Sequence, residues 1–187
     1  VLAAANQELL TNDVMMNALG LGTILIVLLF TYRLFVSGII MFLPLIASNF
    51  DINAYMGALG MGIYINTPPV VTVAFGFVID YGLYIVSRTI ESYLDLEGKF
   101  SEAENDQRVW EAVYMAVTTA GKNVTFVSAT MVLSTLFWTV SKIRFDAEMG
   151  LLLAIWMTIS WAASLTLLPV VMTVMKPKFI QRRPVID

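Results

Sequence analysis

The chain has 187 residues, of which 58% are hydrophobic and only 13% charged, about half the charged share of an ordinary soluble domain. Its net charge of −3 and pI near 4.9 leave no basic face for a nucleic-acid partner. The absence of Cys and His excludes disulfides and thiolate chemistry, and removes the commonest metal ligands and general base. Any chemistry must run on carboxylates, phenols and hydroxyls.

The apolar residues collect in long runs divided by short polar stretches, the pattern of a polytopic membrane protein. Residues 1–13 are polar enough to lie outside a bilayer. The first apolar run covers 14–33, ending at Arg33. A second covers 34–56, its far end blurred by Asn49, Asp51 and Asn53, with Asp51 read as interfacial. A Gly-rich stretch closing on Pro68-Pro69 breaks the chain before the third run, 70–87, which stops at Arg88 and Glu91. The fourth run is 124–141 and the fifth 148–175, followed by a polar tail, 176–187. Each run approaches the ~20 residues that cross ~30 Å of hydrocarbon. Lipid tolerates no unpaired backbone, so all five are expected to be helices.

Between the third and fourth runs, residues 101–120 predict an amphipathic helix. Ser101 and Glu104 have capping-box spacing. Val109, Ala112, Val113, Ala116, Val117 and Ala120 recur on one face, opposite Asp106, Arg108 and Glu111. The expectation is a helix lying on the membrane surface and entering the fourth span through Gly121. Asp146 and Glu148 suit the positive end of the fifth helix. Counting Lys and Arg across the five spans puts nine on the C-terminal side and two, Lys142 and Arg144, on the other. The C-terminus is therefore expected in the cytoplasm and the N-terminus outside. With no signal peptide in residues 1–13 and Val at position 1, the chain reads as the C-terminal part of a longer protein or one half of a split one.

Asp80 lies near the middle of the third span. A charged aspartate at the bilayer centre costs about 2.5–3.5 kcal/mol and is by default functional. It can exchange a proton within the membrane field, where one charge moved across 100 mV is worth about 2.3 kcal/mol. Gly76 and Tyr84 share its helical face, Gly76 leaving room for a close helix and Tyr81 and Tyr84 offering phenolic donors. The plainer alternative is an aspartate that only ties two helices together. Ser128, Thr130, Ser134 and Thr135 could relay protons, or simply bond back to their own helix. The methionines read as packing. No phosphate-binding loop, dinucleotide fingerprint or metal cluster occurs, so no cofactor is expected beyond protons as the coupling ion.

Three stretches carry a family resemblance: GFVIDYGLYIVSRTIES, TTAGKNVTFVSATMVLSTLFW and FDAEMGLLLAIWMTISWAASLTLLPVV. In order and spacing they resemble the second half of a resistance-nodulation-division (RND) transporter over roughly residues 14–175. The likeness is to the MMPL-like, hydrophobe- and hopanoid-exporter-like branch, related to Patched and the sterol-sensing domains. It implies an all-α membrane protein whose five spans are helices two to six of an RND-type half, with residues 1–13 the tail of an extracytoplasmic domain. It implies that Asp80 and Tyr81 form the proton relay, supported by Gly76, Tyr84, Thr130 and Ser134, and face an equivalent pair in another half. The implied function is proton-driven export of lipidic or hydrophobic compounds from a bacterial inner membrane. The implied partners are membrane lipid, the other half, a hydrophobic substrate and, if the transporter self-associates, further copies. A sterol- or lipid-sensing module that does not transport is the alternative. An intramembrane aspartyl protease needs two such acids where this chain has one, and a protein-translocation subunit fits the Asp-Tyr pattern less well.

Overall fold

The computed structural model describes residues 2–32, 35–58, 67–100, 104–177 and 180. Among them there are five α-helices and no strands: α1 (Leu2–Tyr32), α2 (Phe35–Ala58), α3 (Thr67–Asp95), α4 (Asn105–Leu136) and α5 (Arg144–Met175). A short 3₁₀ turn, Phe137–Val140, extends α4 toward α5. An all-helical bundle is what a largely apolar chain must form where only internal hydrogen bonds satisfy the backbone. Four helices contain stretches long and apolar enough to cross a membrane: Gly38–Ala58, Val73–Asp95, Asn105–Val140 and Arg144–Met175. The apolar part of α1, Val14–Phe30, is shorter.

The helices outrun the apolar segments read from sequence. Residues 2–13 are helical and continuous with the apolar part of α1, which at ~1.5 Å per residue is about 46 Å long, more than a ~30 Å core requires. Pro68 and Pro69 fall in the first turn of α3, where a missing N–H costs no helical bond. At its other end α3 runs eight residues past the predicted span, because Thr89, Ser92 and Tyr93 remain buried there.

The largest difference concerns the predicted surface helix. Residues 105–136 form one continuous helix, unbroken at Gly121. Ser101 lies outside the described residues, and the α-helix starts at Asn105 behind Glu104. The apolar face was read correctly, but its partner is protein. Val109, Ala112 and Val113 share a core cluster with Tyr93 and Leu96 at the end of α3. An amphipathic face already covered by a neighbouring helix has no need to lie flat on lipid.

α3, α4 and α5 pack antiparallel in sequence. At one end Tyr93 Oη donates to Asn105, and the Arg108 guanidinium lies 3.9 Å from the Tyr93 ring centre while donating to the Tyr93 carbonyl. Lys176 pairs with Asp106 across the same end. Farther along, Arg88 donates to Thr119 and Trp161 Nε1 to Thr125. At the opposite end the start of α5 presses on the end of α4. A side chain on Gly150 would come within 2.5 Å of the Thr135 carbonyl. Asp146 there accepts from Ser141, and Glu148 pairs with Arg144.

Candidate functional site

Asp80 is one residue from the midpoint of the 29-residue α3. The helix buries one side completely: Ala74, Val78, Tyr81, Ile85 and Thr89 are each at most 2% exposed. Its other side is open along Val73, Gly76, Asp80, Tyr84 and Ser87, spaced three and four residues apart. Gly76 and Tyr84 thus share the Asp80 face, as their spacing requires, and Tyr84 is 62% exposed. Among the described residues, and apart from α3's own backbone, no atom lies within 4 Å of where a Gly76 side chain would begin. The groove made by that glycine is unfilled by this bundle.

Tyr81, next in sequence, is turned about 100° around the helix and points into the bundle. It is 2% exposed and packs in the cluster that includes Met41, Val124 and Leu168. Its hydroxyl lies beside Ser128 of α4, itself buried, yet meets no partner in hydrogen-bond geometry. A buried phenol without a partner costs about 1–3 kcal/mol. Met41, Gly82 and Leu168 meet at the same level, holding α2, α3 and α5 together around the Asp80–Tyr81 step.

Thr130 and Ser134 fall on the exposed face of α4, and Thr130 Oγ1 donates back to the Phe126 carbonyl. Thr135 is buried and bonds back to Met131 and Val132. Within one helix such bonds satisfy a hydroxyl in lipid without engaging a neighbour. Of the hydroxyl series only Ser128 meets the Asp80–Tyr81 step, and it does so through Tyr81. Asp51 is exposed on α2. No group of acidic residues among the described ones could hold a metal ion. Sequence reasoning missed the Tyr93–Arg108–Asn105 knot, whose only signal was a Tyr and an Arg of opposite helix ends within a short connection.

An all-helical bundle with four helices long and apolar enough to cross a membrane fits an all-α membrane protein. The chain belongs to the MMPL family, whose model matches residues 2–184. Members of that family are RND-type membrane transporters rather than enzymes. No curated protein and no solved structure matches the chain.

Proposed function

We propose that this chain is the proton-coupling half of an exporter of lipidic or hydrophobic compounds in a bacterial inner membrane, with Asp80 as the group that takes up and releases the coupling proton. One observation carries the reading: a carboxylate at mid-helix, on a stripe that its own bundle leaves uncovered. Facing lipid, that group would cost about 2.5–3.5 kcal/mol. Facing a second half, with Gly76 letting the partner helix close in, it gains donors and a route to water. Tyr81 serves the same step from inside, its free hydroxyl available to Asp80 or Ser128 as the helices shift. Two conformations that differ in the donors offered to Asp80 bind its proton differently, and coupling requires that difference. The N-terminus is outside and the C-terminus cytoplasmic, so protons enter toward the end where Arg88, Arg108 and Lys176 gather.

The test is proton-driven flux of a hydrophobic substrate in proteoliposomes containing the complete transporter. Asp80→Asn keeps the shape of the side chain and cannot exchange a proton. It is expected to fold normally and to lose gradient-driven flux. A well-folded Asp80→Asn protein that transports at the wild-type rate leaves the carboxylate as a helix tie and favours the lipid-sensing reading.

A further inference from the structure

A shallow groove separates α4 from α5 on the side away from Tyr93, with a volume of about 330 Å³. That is near the lower end of small-ligand sites, which span about 300–1,000 Å³. Its lining is almost wholly apolar and includes Val117, Phe126 and Leu165, with one charged residue, Lys122. The groove's hydroxyls are already engaged. Thr118 donates to the carbonyls of Tyr114 and Met115, while Thr125 donates to that of Gly121 and accepts from Trp161. Lys122 is exposed, and none of the ion pairs among the described residues uses it.

The depth of Lys122 decides what it faces. Ser141, at the hairpin joining α4 to α5, lies 19 residues further along the chain, about 29 Å at helical rise. That is one hydrocarbon thickness. Counted from Ser128, six residues away and beside Tyr81, the Lys122 backbone lies about 9 Å from the Asp80–Tyr81 level, so the two counts bracket it between the edge of a ~30 Å core and about 6 Å inside it. A lysine snorkels the remaining distance with its stem along apolar surface and its ammonium among headgroups. The groove runs inward from there past Phe126, in the direction of an acyl chain.

We propose that the α4–α5 groove is a binding site for an anionic phospholipid of the leaflet on the Lys122 side, with the phosphate on Lys122 and one chain along Phe126 and Leu165. Charge complementarity selects the occupant. A basic side chain at the headgroup level of an interhelical groove suits an anionic lipid, and a zwitterionic one offers it no net charge. The site is independent of proton coupling through Asp80.

Native mass spectrometry of the complete transporter tests this, with phosphatidylglycerol and phosphatidylcholine of identical chains supplied in equal amounts. The wild type should retain one phosphatidylglycerol with about a five-fold preference. Lys122→Gln should abolish the preference, Lys122→Arg should keep it, and Lys142→Gln, at the opposite end, should leave it unchanged. Both positions are exposed, so the folded state survives in all three variants to be weighed. An undiminished preference in Lys122→Gln overturns the proposal. So does an equal loss in Lys142→Gln, which would mean general surface charge, or displacement of the lipid by millimolar inorganic phosphate, which would mean a site for free anions.

Discussion

Asp80 and Tyr81 are neighbours in the chain and face different sides of α3, because successive helical residues are turned by about 100°. The pair therefore spans the helix: one member looks outward along the Gly76–Tyr84 stripe, the other inward to Ser128. Tyr81→Phe separates stability from function at this site. Its hydroxyl is buried without a hydrogen bond, so removing it should leave thermal stability equal to or slightly above wild type. Gradient-driven flux should fall roughly 2–10-fold, the value of one hydrogen bond of about 0.5–1.5 kcal/mol in a transition state. Lost stability together with unchanged flux would make Tyr81 a packing residue only. Thr130→Val, whose hydroxyl is already held by its own helix, should alter flux less than either variant.

At the scale of elements, two contacts fix how α4 sits in the bundle. Where α5 begins, Gly150 lies so close to the end of α4 that an added methyl would meet the Thr135 carbonyl at 2.5 Å and Trp138 Cβ at 2.6 Å. Because one neighbour is backbone, relief requires moving a helix. Gly150→Ala should destabilise the protein by about 1–3 kcal/mol, read as a lowered melting temperature in detergent. A melting curve equal to wild type would show that the hairpin is looser than this geometry. At the other end, Val113 is 4% exposed in the cluster with Tyr93 and Leu96. Val113→Asp forfeits about 1.5–3 kcal/mol of burial and strands a charge among apolar side chains. The yield of folded protein should drop sharply. Normal yield and melting would mean that α4 detaches from α3 at little cost, as a surface helix could. The exposed pair between Lys176 and Asp106 at this end contributes at most about 1 kcal/mol.

For the whole molecule, the bundle segregates its cations. Arg88, Arg108 and Lys176 meet partners at the end where α3 and α5 finish, while Lys142 and Arg144 lie at the opposite hairpin. Because the chain contains no Cys, single cysteines report sidedness without background. Lys99→Cys should react with an impermeant maleimide only from the cytoplasm, and Lys142→Cys only from outside. Reaction of Lys99→Cys from outside would reverse the orientation proposed above. The open stripe makes a second prediction at this scale. A Cβ added at the exposed Gly76 meets nothing within 4 Å among the described residues, so with Gly76→Leu the half should fold normally, yet assembly with the other half or coupled flux should fail. Unimpaired assembly and flux would mean that no helix packs on this stripe.

Sequence alone determined the apolar runs, because spanning a bilayer demands about 20 apolar residues wherever the chain crosses. It also determined the place of Asp80 near the middle of its helix, which is a matter of counting, and the one-sidedness of Val109, Ala112 and Val113, which is periodicity. Helix ends were less legible. The hydrophobic signal stops at the membrane surface, whereas α1, α3 and α4 continue as far as a neighbouring helix or their own backbone bonds support them. Which face each helix turns to which neighbour was not legible at all. An apolar stripe looks the same whether lipid or protein covers it, so the partner of residues 109–116 was decided only when α3 was found beside them. For the same reason periodicity could put Asp80 and Tyr81 on different faces, but only the packing of α2, α4 and α5 decided that Tyr81 is enclosed and that Asp80 is left open.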